Sequence, residues 1–403
     1  MVGLRASRLE DRNCRSTCPT LVFSRTEQMS LTTHPNAPKN IEIECLRGLA
    51  VIFVLIQHLP GLFLWTSNSA NRYAVGMWVG VDLFFAISGY VIARGLVDQL
   101  QDVEGELFWR RTIAFWIRRA WRILPTAWLW LAVPAIYLTL AASLRGQSVS
   151  ASLYAGAAAA VLQVSNFHHY ACSIKESAYC GAFPIYWSLS LEEQFYIVFP
   201  FVVLLARRHI LWVVAFFAVI QVPFSRDHWQ GLAAFVRTDA ICLGVCVALL
   251  ARSPYYRIFE PIFLRGRAQL FSTTIIVAAI ATVVRLQLVP FALGLTSLIC
   301  AVAVWIASYD RGYMFRSKFC RVVLGWCGSR SFAIYLCQIP VFILVQDAWR
   351  YYSPTGGFDG TYFLRFFLPA IALIALFSEL NYRFVETPLR RKGREVAERF
   401  AEA

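Results

Sequence analysis

The stretch Arg47–His58 reads RGLAVIFVLIQH and decides how the chain folds. An arginine and a histidine bracket ten residues inside an apolar run from Leu46 to Trp65. On an α-helix, eleven steps of about 100° come to three turns plus about 20°, so both polar side chains fall on one stripe, about 16 Å apart. The run is long enough to cross a bilayer. Arg47 is then expected at one membrane face and His58 in the outer half of the hydrocarbon. A histidine at that depth is costly unless it faces protein or water, which makes it a functional candidate. The plainer alternative is a core histidine bonded to a neighbouring carbonyl.

Working outward, the composition agrees with a membrane protein. Of 403 residues, 58% are hydrophobic and only 15% charged, well below the roughly one quarter charged of soluble domains. The net charge of +14 raises the question of nucleic acid. The basic residues, however, sit in short loops between apolar runs, which is the positive-inside pattern. The expected fold is all-α, a polytopic transmembrane bundle with the lipid bilayer as its partner and no nucleic acid. Ten spans are expected, near 46–65, 75–96, 122–142, 188–206, 210–224, 235–251, 268–285, 289–308, 330–347 and 364–384.

A further alanine-rich run at 151–165 is settled by charge. If it does not cross, the basic clusters at 94–122, 207–208, 252–267, 311–321 and 390–394 all lie on one side together with both termini. It is therefore read as a re-entrant or interfacial helix, with both termini cytoplasmic and the 66–74 turn and 166–186 loop outside. Residues 1–40 are polar and aperiodic and read as a disordered cytoplasmic tail. Residues 41–392 form the membrane domain and 393–403 a short cytoplasmic tail. No apolar leader precedes the first span, so no cleaved signal peptide is expected, and Met29 is an alternative start. Of eleven cysteines, most lie in apolar runs, where cysteine acts as a small hydrophobe. Cys14 and Cys18 have no partner pair, so no metal site is expected. Cys172 and Cys180 share one outer loop and could form a disulfide in an oxidising compartment.

Intramembrane polar residues give the chemistry. Counted from the outer side, His58, Asp82 and the pair Glu192 and Glu193 lie at similar depth in three spans. A carboxylate bonded to one imidazole nitrogen would leave the other free as a base. Arg47, Arg119 and Arg122 lie at the cytoplasmic ends of the first and third spans, where a guanidinium fork suits phosphate. Topology anchoring is the alternative role for such arginines, and it is preferred for Arg118. The arrangement suits a ligand with a phosphorylated end at the cytoplasm and a long thin arm reaching toward His58, as coenzyme A has.

These residues fall in stretches that resemble the acyltransferase-3 family of integral-membrane O-acyltransferases. The stretches are the Arg47–His58 spacing, GVDLFFAISGY at Gly80–Tyr90, RRAWRILP at Arg118–Pro125, YWSLSLEEQFYIVFP at Tyr186–Pro200, SFAIYLCQIPV at Ser331–Val341 and RFVETPL at Arg383–Leu389. They agree in order and spacing over nearly all of residues 41–392. The resemblance implies transfer of an acyl group, commonly acetyl from acetyl-CoA, to a hydroxyl of a carbohydrate or glycolipid acceptor, such as an envelope polysaccharide or its lipid-linked precursor, in a bacterial inner membrane.

Under that resemblance, His58 is the base or a transient acyl carrier, and Glu192 or Asp82 orients it. Arg47, Arg119 and Arg122 bind coenzyme A phosphates. Ser88, Trp187, Glu193, Tyr196 and Gln338 shape the substrate channel. Gln338 stands where many members have histidine, so its role is limited to hydrogen bonding. Glu386 is expected to pair with an arginine. The hydrolase-like extracytoplasmic domain of some members is not seen, which leaves the complete transfer to the membrane domain or a partner. A sugar on a macrolide-like metabolite is an alternative acceptor. A proton-coupled transporter is the rival class, disfavoured because no internal repeat or matched broken helices are apparent. A purely structural membrane subunit fits poorly with so many costly intramembrane charges.

Overall fold

The computed structural model describes residues 39–402, apart from 66–75, 147, 149–150, 175–182, 227–230 and 354–355. The 1–40 tail, Cys14, Cys18, Met29, Cys180 and the 66–74 turn lie essentially outside the described residues. From Asn40 onward the chain forms one compact unit, and every regular element among the described residues is helical.

The principal helices are α1 (Ile41–His58), α2 (Gly80–Leu100), α3 (Gly105–Leu144), α4 (Ala151–Val161), α5 (Ser165–Ile174), α6 (Tyr186–Ala206) and α7 (Ile210–Gln221). They continue as α8 (Asp239–Leu250), α9 (Arg267–Leu286), α10 (Ala292–Ser308), α11 (Lys318–Ser329), α12 (Ser331–Tyr352), α13 (Phe363–Asn381) and α14 (Thr387–Glu402). Each of the ten expected runs meets one of these helices. Seven helical segments among the described residues are long and apolar enough to cross a membrane, or eight if the pair Asp239–Leu250 and Pro254–Leu264, bent by 92°, is one broken span. The count of ten is therefore not reproduced. Helices α7 and α8 have 12 residues each and α10 has 17, short of the ~20 that a straight span needs.

Two segments differ from the sequence reading in a way that matters for the site. The basic stretch before the third span is not a loop. Helix α3 begins at Gly105 and runs for 40 residues, about 60 Å, so Arg118, Arg119 and Arg122 are fixed on a rigid element. The terminal segment expected as a tail is the helix α14, joined to α13 by a π-helical turn at Tyr382–Glu386. Helix α4 has 11 residues, about 16 Å of rise, too short to cross by itself.

Close helix crossings position α1. A Cβ on Gly48 would lie 2.1 Å from the Leu324 carbonyl oxygen, and one on Gly328 would lie 1.8 Å from that of Glu44. Helices α1 and α11 thus meet backbone to backbone through reciprocal glycines, the small-residue packing that holds helices together in lipid. The same arrangement joins α2 to α8, where Gly89 faces the Ile241 carbonyl and Gly244 that of Ala86, each at 2.0 Å from a built Cβ. At its first turn α1 is tied down by Glu42. This wholly buried carboxylate accepts from the backbone N–H groups of Gly312, Tyr313, Met314 and Phe315 at 2.8–3.3 Å. At the other end, Gln57 Oε1 accepts from the Trp78 N–H at 3.2 Å, and Gln346 donates to the Gly61 carbonyl at 2.7 Å. The Arg47–His58 helix is therefore held at both ends and along one face.

Candidate active site

Five helices frame a half-open cavity whose empty space, its open mouth included, is about 730 Å³. Each presents a stripe at helical spacing. Helix α2 offers Val81, Phe84, Phe85 and Ser88, and α3 offers Arg119, Arg122 and Ile123. Helix α6 offers Ser188, Leu189, Glu192 and Tyr196, α12 offers Ser331, Phe332 and Tyr335, and α1 contributes Arg47. Residues three or four apart on a helix share a face, so every stripe follows from the local sequence once its helix is oriented inward.

The cavity is polar at one end. Arg47, Arg119 and Arg122 converge there, with Glu192 among them. Arg47 lies 3.6 Å from Glu44, one turn back on its own helix. The Arg119 guanidinium lies over the Tyr196 ring at 5.2 Å and the Phe115 ring at 5.7 Å, a cation–π arrangement that desolvation strengthens. Tyr196 donates its hydroxyl to Glu192 one turn earlier. At the opposite end Tyr335 donates to the Ile185 carbonyl at 2.8 Å and meets Ser188 Oγ at 2.7 Å, which ties α12 to the start of α6. Helix α6 is in turn fixed to α3, because Tyr186 donates to the Ala127 carbonyl at 2.8 Å and Trp116 donates to the Tyr196 carbonyl at 3.1 Å.

Of the residues expected at the site, Arg47, Arg119, Arg122, Ser88, Glu192 and Tyr196 line this one cavity. The others are elsewhere. Asp82 does not orient His58. Both of its oxygens are taken by Arg237, whose Nε and Nη2 donate at 2.9 and 3.1 Å, and the two side chains are 0% and 1% exposed. The reason is chemical: a buried carboxylate needs a full countercharge, and the guanidinium fork matches its two oxygens. Trp187 does not line this cavity. Its ring and that of Trp78 sit 5.0 and 4.9 Å from the Arg237 guanidinium. A second buried pair joins Arg226 to Asp239, two residues after Arg237, at 2.9–3.0 Å.

Glu193 Oε1 and Gln338 Oε1 are buried without a hydrogen-bond partner among the described residues. Neither residue lines the cavity, and Gln338 donates to the Tyr335 carbonyl at 3.1 Å. Glu386 accepts from Asn381 at 2.8 Å, and among the described residues it forms no ion pair with arginine.

His58 is half-buried at the C-terminal end of α1 and does not line the 730 Å³ cavity. Its Nδ1 lies 2.9 Å from the Val54 carbonyl oxygen. Among the described residues no hydrogen bond or ion pair joins it to Asp82, Glu192 or Glu193. The acid that was expected to orient the imidazole is thus replaced by a main-chain carbonyl. A carbonyl only accepts, so Nδ1 carries the hydrogen and the neutral ring leaves Nε2 unprotonated. The arrangement resembles the bland reading of a core histidine, yet it sets the tautomer that a base requires.

Ser188, Ser331 and Tyr335 were missed by the sequence reading. Ser188 was within reach of it, being one turn before Glu192 and two before Tyr196. Arg237 carried no local signal, because its partner is 155 positions away. Among the described residues no cluster of His, Cys, Asp and Glu could hold a metal ion. Cys172 Sγ lies 3.8 Å from His168 Nε2.

Comparison with known proteins places the chain. The family described as "Acyltransferase domain" matches residues 40–379. The chain is 26% identical over 396 residues to the peptidoglycan O-acetyltransferase OatA of Listeria monocytogenes, covering 91% of this chain and 58% of that protein. It is 27% identical over 381 residues to the O-acetyltransferase OatA of Staphylococcus aureus, covering 87% and 57%. The chain therefore spans a little under three fifths of the length of these relatives. No solved structure matches it. The chain belongs to this acyltransferase family.

Proposed function

We propose, for this member of the acyltransferase family, that the chain is a membrane O-acetyltransferase. It transfers acetyl from acetyl-CoA to a hydroxyl of a carbohydrate or glycolipid acceptor. The observation that carries this reading is the cavity shared by Arg47, Arg119, Arg122, Glu192 and Ser88. It combines three cations suited to phosphate at one end with a wall of mixed apolar and hydroxyl side chains, which supports a thioester on a long arm as its ligand. The named activity of the relatives supports an acetyl group, and peptidoglycan supports a glycan acceptor.

In this mechanism the arginines bind the diphosphate of the donor and Ser88 borders the arm. His58 Nε2 removes the proton from the acceptor hydroxyl. The oxygen attacks the thioester carbonyl, the carbon–sulfur bond breaks, and the coenzyme A thiolate takes up the proton held by His58, which restores the base. The products are an acetyl ester and free coenzyme A. Backbone bonding of Nδ1 to Val54 holds the resting neutral ring in the tautomer whose Nε2 accepts a proton. Glu192 keeps Tyr196 in place and offsets part of the local positive charge.

The chain lies in a bacterial inner membrane with both termini cytoplasmic and crosses it ten times. Helices α7, α8 and α10 are short or broken spans, and the 151–165 segment is re-entrant or interfacial. The support is the one-sided distribution of arginine.

The experiment is release of free thiol from acetyl-CoA by the purified full chain with a glycan acceptor, together with recovery of the acetylated product. Thiol release that depends on acceptor is expected. Absence of both thiol and ester, in protein that is folded and inserted, would overturn the reading.

A further inference from the structure

A second half-open cavity, about 700 Å³ with its open mouth included, lies beside the first and shares Arg119 and Arg122 with it. Its other charged walls are Arg118 on α3 and Arg390 and Arg394 on α14. No carboxylate is among its lining residues, and none of the five arginines makes an ion pair among the described residues. Like charges facing one space repel, and a multiply charged anion relieves that. Guanidinium forks bind phosphate oxygens two at a time.

The two C-terminal arginines are placed by packing. They are one turn apart, hence on one face of α14, and they flank Gly393. A Cβ on Gly393 would sit 2.4 Å from the Trp121 Cβ and 2.8 Å from its Cγ. Glycine therefore lets α14 rest directly on α3 at Trp121, next to Arg122. Lys392 Nζ lies 5.5 Å from the same indole ring. Arg390 is half-buried and Arg394 exposed beside the buried Gly393, while Arg391, 83% exposed, lies 3.7 Å from Glu395, itself 54% exposed.

We propose that α14 is one jaw of the donor site. Arg390 and Arg394, facing Arg118 across the 700 Å³ cavity, grip the phosphates of the donor's nucleotide end. This rests on the acetyl-CoA reading and extends it to a substrate-selecting element outside the matched family region, which ends at residue 379. It implies discrimination in favour of donors that carry a phosphorylated nucleotide over those that end in bare pantetheine. The phosphate chemistry would also suit an anionic lipid headgroup, and the test separates the two.

Full-length protein is placed in nanodiscs of neutral phosphatidylcholine, and calorimetry measures binding of coenzyme A and of adenosine 3′,5′-bisphosphate. The variants are the double change Arg390→Gln with Arg394→Gln, Gly393→Ala, and Arg391→Gln as the exposed control. The double variant is expected to weaken both ligands by about ten- to a hundredfold. Gly393→Ala should weaken them without altering charge, and Arg391→Gln should stay within about twofold. In turnover, the apparent KM for acetyl-CoA should rise in the double variant while kcat stays close to wild type. Acetyl-pantetheine should serve wild type and variant equally.

Unchanged nucleotide affinity in the double variant, with acetyl-CoA still consumed, overturns the jaw and leaves the proposed function standing. No coenzyme A binding and no thiol release by wild type overturns both. If adenosine bisphosphate fails to bind in neutral discs while phosphatidylglycerol is retained through Arg390 and Arg394, the arginines belong to lipid and the proposal is wrong.

Discussion

Asp82 and Arg237 form a two-pronged ion pair between α2 and the segment leading into α8, at 2.9 and 3.1 Å, with the guanidinium between the rings of Trp78 and Trp187. Its members are 155 positions apart in the chain. The acid that depth alone aligns with His58 is therefore committed to a structural contact. Removing one partner leaves an uncompensated buried charge, which costs about 3–5 kcal/mol. Arg237→Leu is expected to lower thermal stability in detergent sharply, and the double change Asp82→Leu with Arg237→Leu should recover much of it. A single Asp82→Asn that lost turnover at unchanged melting temperature would instead return Asp82 to the chemistry.

His58→Ala should abolish detectable transfer while the protein remains inserted and melts close to wild type, since among the described residues the imidazole bonds only to its own helix at Val54. Positioned acid–base groups contribute about 10²–10⁴-fold. The check is thiol release compared with melting temperature in one preparation. Wild-type turnover would remove His58 from the mechanism.

Arg47→Ala is expected to raise the apparent acetyl-CoA requirement more than it lowers the maximal rate. Arg47 borders the cavity and its carboxylate neighbour is at 3.6 Å, so no short ion pair holds it back from a ligand. Loss of a hydrogen bond to a charged group corresponds to about 1.5–3 kcal/mol, or about ten- to a hundredfold in KM. Full saturation curves decide it, and an unchanged requirement would exclude phosphate binding at this position.

Gly328→Ala should destabilise the fold by about 1–3 kcal/mol or more, the usual cost of forcing atoms into a packed interior. A Cβ there would lie 1.8 Å from the Glu44 carbonyl oxygen, so α1 and α11 must separate. Because Arg47 is on α1, donor affinity should fall along with stability. Gly325→Ala, with nothing within 4 Å of its built Cβ, is the matched control. Equal melting temperatures for the two variants would contradict the close crossing.

Residue pattern alone established the helical membrane character and the grouping of Arg47 with Arg119 and Arg122. Apolar run length and arginine placement are local quantities that the bilayer reads directly. Helical periodicity likewise carries Glu192 and Tyr196 to one face without reference to any partner. Counting residues from the outer end placed His58, Asp82 and Glu192 at one depth, but depth leaves rotation about each helix axis undetermined. That rotation was decided by contacts between distant segments. Arg237 drew Asp82 aside, and glycine crossings set where α1 meets α11 and where α14 meets α3. The arginine-lined mouth is the clearest case. Its charges are plain in the sequence as cytoplasmic anchors, and only the docking of α14 against Trp121 turns Arg390 and Arg394 toward Arg118 around one cavity.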